Sequence, residues 1–401
     1  MLIERINEQN KKLNKGGFTQ KQVQANAAKI LETTCDLLVG AGYYVRFPAY
    51  SRALILENRY NPVKLIGSDD KTVAEIFRNS LSSTFISTTT GKQISLAEYF
   101  REGLMLIQYV EMMSRESTEL PSDLVKAFEP YFAQTEYYRS AITELIHILR
   151  RLAIICSDWS DTILSYALDS LCAIKGITAP NQVTLTEHRP QLISIQLDGH
   201  KRELLRAGWA DVLGGINWIS IPPGKIGFES PGEENLPVYI QRHALNRLNE
   251  RLGLHKGLIH ESIAETLLAE SSKWYRKNDK TMVPLEIFGK KLGYLLISTE
   301  QQKIIIRSFL FLTNNGTREG NQLSELTRLA PLDKQYLGMD TLRGFAGYNF
   351  STDHQLAELL SAAGCGDLLQ VTELLQFSEG PELRKNPQAL MQYLKPYLVK
   401  Q

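Results

Sequence analysis

Cysteine is scarce and scattered. Cys35, Cys156, Cys172 and Cys365 form no CxxC pair and have no histidine at metal-ligand spacing, so neither a zinc site nor a disulfide framework is encoded. They read as buried thiols of a reducing compartment. No apolar run is long enough to span a membrane, and the opening stretch MLIERINEQNKKLNKGG lacks the apolar core of a signal peptide. The expectation is a cytoplasmic protein with no membrane partner. Charge of one sign is missing too: the formal net charge is +1, so any surface for nucleic acid has to be local. The Walker pattern GxxxxGK[ST] does not occur; FISTTTGKQIS has the small residues of a phosphate loop at Thr88 to Lys92, but reads as a plain loop. No cofactor and no metal are expected.

What is present is an ordinary globular composition, 43% hydrophobic, in a chain of 401 residues that is long enough for two or three domains. Residues 1–17 are polar and end in Gly16-Gly17, which reads as a flexible arm. From Thr19 a capped helix carries Val23, Ala27, Ile30 and Leu37 at helical spacing. TVAEIFRNSL, ISLAEYFREGLMLIQYVEMM, DLVKAF, EYYRSAITELIHILRRLAIICSDWS and DTILSYALDSLCAI repeat that spacing, so 18–178 reads as a helical domain. The segment YYVRFPAYSR around Pro48 reads as a loop or short strand, and His147 as a core or flank histidine of its helix.

At Ile177 to Asn181 the pattern turns strand-like, and 179–235 reads as a strand-rich connecting region with a turn at Asp198-Gly199. KRELLRAGW within it fits a strand or a short helix, and Trp209 and Trp218 read as core or interface residues. The run PPGKIGFESPGEENLP links it to a module at 236–350, and 351–401 reads as C-terminal helices. The expected fold class is α+β: a largely helical N-terminal half, then a small antiparallel sheet preceded by two helices, then C-terminal helices.

The chain is organised around Val238 to Thr313. In YIQRHALNRLNERLG, Leu245, Leu248 and Leu252 share one helical stripe and His243, Arg247 and Glu250 lie opposite, with Gly253 placed as a left-handed cap. A second helix from Leu258 turns Ile259, Ile263 and Leu267 inward. After the polar break SSKWYRKNDK come strands at PLEIF, KLGYLLIS and KIIIRSFLFLT, and then a Gly-punctuated stretch with room for one more strand. A hairpin turning at Glu300 and Gln301 sets Leu296 against Ile305 and Tyr294 against Arg307. Arg307 then stands in an apolar row and needs a partner or a ligand.

HAxxRxxER on a helix, a second helix and an antiparallel sheet together resemble the small ribonuclease-toxin fold shared by RelE and colicin-type ribonucleases, over roughly Pro237 to Phe350. The resemblance implies a positively lined sheet face and RNA cleavage by attack of the ribose 2′-hydroxyl on the adjacent phosphate. By motif position it carries over His243 and Arg247.

Two functions follow as expectations. In the first, a metal-independent ribonuclease uses His243 as general acid or base, Arg247 and Arg307 to hold a phosphate, and Tyr294 to assist. Its partner is RNA. In the second, the module is noncatalytic and the helical half is a scaffold that binds another protein, while the residues around His243 only make helical ion pairs.

Overall fold

The computed structural model describes residues 20–57, 64–66, 71–116, 120–168, 182–211, 214–226, 234–271, 274–277, 280–348, 350, 353–378, 385–386, 390–391 and 394. The expected arm at 1–17, Cys172 and most of the last expected helix lie outside them. Helices and sheets are both present, and the class is α+β. The chain divides into two units: unit 1 is Met1–Leu152, Ser165–Thr186 and Val212–Gly214, and unit 2 is Ala153–Leu164, Glu187–Asp211 and Gly215–Gln401.

Unit 1 is built on helices α1 (Gln20–Leu38), α2 (Ala49–Glu57), α3 (Lys71–Ser83), α4 (Leu96–Glu98), α5 (Leu104–Glu116), α6 (Ser122–Phe128) and α7 (Glu136–Cys156), whose last residues, from Ala153, belong to unit 2. A π-helical turn, Tyr99–Gly103, joins α4 to α5. The buried stripe of α1 is Leu31, Cys35 and Leu38 with Thr34, one position away from the expected Ile30 and Leu37, which are only half-buried. The segment around Pro48 is helical rather than a loop or strand. Phe47 is extended, as the residue before a proline must be, and Pro48 then opens α2 by accepting from Arg52 N–H at 3.1 Å.

The expected helix at DTILSYAL is instead strand β4 (Ile163–Leu168), in a three-stranded sheet ordered β1 (Lys64–Ile66), β5 (Gln182–His188), β4. Its first four residues are all buried, and so short an apolar run fits either period. Thr88 to Lys92 form the turn between β2 (Phe85–Ser87) and β3 (Gln93–Ser95), with Gly91 in the left-handed region at φ 73°. The Thr89 and Thr90 hydroxyls donate to the carbonyls of Leu38 and Leu37 at 2.9 and 2.8 Å, and Tyr131 OH donates to Leu38 at 2.8 Å. These threonines therefore satisfy the open end of α1, as the plain-loop reading required. His147 stands exposed on α7, 3.9 Å from Glu144.

In unit 2 the sheet is larger than expected, and mixed. Its order is β12 (Tyr275–Lys277), β13 (Lys280–Ile287), β14 (Lys290–Glu300), β15 (Lys303–Phe311), β11 (Leu236–Gln241), β7 (His200–Arg206), β6 (Leu192–Leu197), with β10 (Ser220–Ile221) beside β11. KRELLRAGW is thus strand, β7 and then β8 (Gly208–Ala210), which pairs with β9 (Ile216–Trp218). The β11–β15 pair is parallel, which needs a crossover, and helices α8 (Arg242–Leu252) and α9 (Lys256–Leu268) lie within it. Their buried Leu245, Leu248, Leu252, Ile259, Ile263 and Leu267 share a core with Ile304, Ile306 and Phe311 of the sheet. Ile305, one residue out of phase, lies on the other face with Leu204 and Tyr239.

The β14–β15 register differs from the expected one. The turn is Gln301-Gln302, both left-handed at φ 49° and 54°, and a bulge follows between Leu296 and Ile297. Tyr294 faces Leu310, Leu296 faces Ser308, and Arg307 is the extra residue of the bulge. A two-residue turn of this hand matches strand twist, and that geometry prevails here without asparagine or glycine.

The described residues after β15 are helical and add no strand to the sheet: α10 (Arg318–Thr327), α11 (Pro331–Tyr336) and α12 (Leu342–Ala346), followed by α13 (His354–Ala362). Thr317 caps α10 by accepting from Gly320 N–H at 2.8 Å, and Thr341 caps α12 through Gly344 N–H at 3.2 Å. On α11, Leu332 and Tyr336 point to solvent while Lys334 turns inward, 1% exposed. Its ammonium donates to Thr313 O, Asn315 Oδ1 and Gly320 O at 2.8, 2.7 and 2.7 Å.

A second buried ionisable group sits on α9. The His260 ring stacks on Trp159 at 4.2 Å, and neither of its nitrogens has a hydrogen-bond partner among the described residues. Beside it Lys256 pairs with Asp158 at 2.7 Å. Gly257 lets this helix approach Ile154 closely: a Cβ there would lie 2.5 Å from the Ile154 carbonyl.

Candidate functional site

Three of the four residues expected to act together, Arg247, Arg307 and Tyr294, are bound to partners outside that set. The leucine stripe of α8 is buried, so His243 is exposed and Arg247 half-exposed. Arg247 donates to Glu250 at 3.0 Å, a solvated pair one helical turn apart that contributes a few tenths of a kcal/mol. Arg307 has the partner its surroundings demanded: it binds the Asp198 carboxylate of the β6–β7 turn and lies 3.4 Å from Ser298 Oγ. Tyr294 is buried and donates to both oxygens of Glu319, at 3.0 and 3.2 Å. Burial, reinforced by the Glu319 carboxylate, pushes its hydroxyl up to about 12, so the phenol keeps its proton.

Tyr294 touches two residues, Lys291 and Tyr275, that line a cleft. The cleft, of about 500 Å³, is lined by Glu265, Thr266 and Ala269 at the end of α9, Ser271, Tyr275 of β12, Pro284 and Glu286 of β13, the Phe288-Gly289 turn, and Lys291 of β14. That volume lies within the usual range for a ligand site. Sequence reasoning passed over it because its walls come from four elements, one of them read as a polar break. The exposed Tyr275 and Phe288 were the available signal.

The floor is rigid. Lys291 Nζ donates to Glu319 at 2.7 Å and sits over the Tyr294 ring, while its backbone N–H donates to Asp367 at 3.1 Å. Burial works against this ammonium, but the Glu319 hydrogen bond outweighs it and holds the pKa above that of an ordinary lysine. Cys365 nearby is fully buried, and burial followed by the Glu319 charge pushes its thiol up to about 12, which leaves it protonated and inert. The end of α9 is held by Lys225, whose ammonium donates to the carbonyls of Leu267, Leu268 and Ala269 at 2.9, 3.2 and 2.7 Å.

The cleft also lies along the edge of β13, since β12 pairs only with Lys280 to Met282. Strand addition is blocked there: Pro284 has no N–H, and the N–H and C=O of Glu286 are both taken by Thr266 Oγ1, at 3.3 and 3.5 Å. The bulge that falls opposite Leu285 and Glu286 has its extra residue, Leu292, on β14. Phe288 is left-handed, φ 50°, and its ring is 59% exposed.

Such a conformation costs a residue other than glycine or asparagine about 1–2 kcal/mol. The ring contact with Phe377, centroids 5.5 Å apart, returns about 0.5–1.5 kcal/mol. Phe288→Asn is therefore expected to leave the unfolding midpoint of unit 2 unchanged or raised. A marked drop in that midpoint would show that the aromatic side chain is there for stability.

No family model matches the chain, and neither a curated protein nor a solved structure matches it. Its function has to be argued from the site.

Proposed function

We propose that this protein is a noncatalytic binding module whose unit 2 cleft takes a segment of a protein partner. The observation that carries the reading is the pairing of a ligand-sized cleft with two exposed aromatic walls, Tyr275 and Phe288, one of them at a costly backbone conformation. Exposed aromatics on a rigid floor supply contact area at little entropic cost. The protein-binding expectation is thereby moved from the helical half to unit 2. The ribonuclease expectation finds less support, because Arg247 and Arg307 are already paired with carboxylates.

The test uses random dodecapeptides displayed on phage and selected on the immobilised full chain. Ala269→Trp, which fills the cleft from an exposed position, serves as counter-target. Clones retained by the wild type, lost on Ala269→Trp and weakened on Phe288→Asn are the expected outcome. Equal retention on both targets, or no enrichment, overturns the reading. So does cleavage of a labelled mixed-sequence RNA in EDTA that His243→Ala abolishes, since that would make the protein a metal-independent ribonuclease.

A further inference from the structure

The two ends of the large sheet differ. At one end β12 is three residues long, two of them basic, and beside it Pro284 and Thr266 close the edge of β13. At the other end lies β6, LISIQL, with no charged residue, no proline and no bulge in its pairing with β7. Its outer side can be read from the ladder. The β6–β7 hairpin turns on Asp198 and Gly199, both left-handed at φ 50° and 77°, so Leu197 and His200 form the bonded pair that closes it. At the far end Arg206 N–H donates to Gln191 O at 2.9 Å. Bonded pairs alternate along an antiparallel ladder, so the odd-numbered residues of β6 bond to β7, and the N–H and C=O groups of Leu192, Ser194 and Gln196 point away from it. All three residues are exposed, and among the described residues no other strand or loop bonds these groups.

We infer that β6 is a dimer interface, pairing antiparallel with β6 of a second copy of this chain about a two-fold axis at Ser194. That register is the one that joins all three open residues to all three: Ser194 to Ser194, Leu192 to Gln196 and Gln196 to Leu192, each pair exchanging both backbone bonds. The side chains suit it. On one face Ile193 meets Ile195 of the second copy, which extends the cluster of Leu197, Leu204, Tyr239 and Ile305 that both isoleucines already pack against. On the other face Leu192, Ser194 and Gln196 meet, and no like charges are opposed. A second copy is the occupant because symmetric pairing uses up both open edges at once, whereas a peptide strand would leave its own outer edge unpaired. The inference stands apart from the cleft, which lies toward the opposite end of the sheet along β12 and β13.

The test is sedimentation velocity of the full chain over a dilution series. The wild type is expected to pass from the monomer to twice its mass as concentration rises. Ser194→Lys and Ser194→Glu each bring like charges together at the axis, and each is expected to weaken association by about tenfold or more. Mixed in equal amounts, the two variants are expected to associate at least as tightly as the wild type, because a lysine then faces a glutamate. Residue 194 is exposed, so the far-UV circular dichroism of both variants is expected to match the wild type, and rescue in the mixture itself requires both to be folded.

A wild type that stays monomeric throughout overturns the inference and leaves the edge to a strand of another protein. Charge variants that dimerise singly as tightly as the wild type place the interface elsewhere and overturn it too. Variants that are monomeric alone and remain so when mixed overturn the pairing of Ser194 with itself.

Discussion

Lys334→Met is expected to destabilise unit 2 by about 3–5 kcal/mol. The side chain volume is nearly kept and the apolar stem is retained, so the loss comes from the ammonium. Removing it leaves three acceptors, Thr313 O, Asn315 Oδ1 and Gly320 O, without their donor, at about 1–3 kcal/mol for each one that water cannot reach. Those acceptors belong to the turn after β15 and to the first turn of α10, so a single side chain ties α11 to both. Burial depresses the Lys334 pKa to about 8, which still leaves it charged at neutral pH and able to donate three hydrogen bonds. The measurement is urea unfolding followed by tryptophan fluorescence. All four tryptophans, Trp159, Trp209, Trp218 and Trp274, lie in unit 2, so the signal reports that unit. Leu332→Ala, two positions away and 77% exposed, is the control and is expected to change stability by less than about 0.5 kcal/mol. A Lys334→Met protein within about 1 kcal/mol of wild type would mean that the turn repacks or admits water.

The second large effect is an acid sensitivity centred on His260. Burial pushes its pKa down to about 3, and the Asp158 carboxylate pulls it back up only in part. An unfolded histidine titrates near 6.5. Between those two values the unfolded chain binds a proton that the folded chain refuses, so this residue lowers stability as pH falls, by up to about 1.4 kcal/mol per pH unit. Above about pH 6.5 both states are neutral and its contribution is flat. Moving from pH 7 to pH 4.5 is expected to cost the wild type about 2–3 kcal/mol from this group alone. His260→Phe keeps a ring against Trp159 and has nothing to protonate. Its stability is expected to fall less over the same interval, whatever its offset at pH 7. Identical pH dependence in the two proteins would falsify the assignment and send the search to the carboxylates.

The elements that sequence patterning located correctly are those in which a single helix or hairpin contains its own evidence. The buried stripe of α8, the left-handed Gly253 and the Asp198-Gly199 turn follow from spacing within a few residues. The misses come from longer-range causes. Ile163 to Leu168 is a strand because a sheet edge was there to receive it, and nothing within DTILSYAL separates that outcome from a helical turn. Arg307 was rightly seen to need a partner, but Asp198 lies 109 residues away in sequence, and the bulge that places Arg307 cannot be inferred from an alternating pattern. The cleft was the least legible feature. Glu286 is unremarkable in the chain and gains its place only through Thr266, which fixes its backbone from another element.

The division into two units has a consequence for synthesis. The chain passes from one unit to the other between 152 and 153, 164 and 165, 186 and 187, 211 and 212, and 214 and 215. Neither unit is a continuous segment: unit 1 is complete once Gly214 has emerged, but by then two pieces of unit 2, 153–164 and 187–211, are already out and wait for the rest. Residues 153–164, which supply Trp159, leave the ribosome well before α9 exists to receive them. An excised 236–350 piece is likewise an incomplete body, because β6, β7 and the core residues Leu356, Leu360 and Leu374 lie outside it. Nascent unit 2 must wait with apolar surface uncovered until its distant parts arrive.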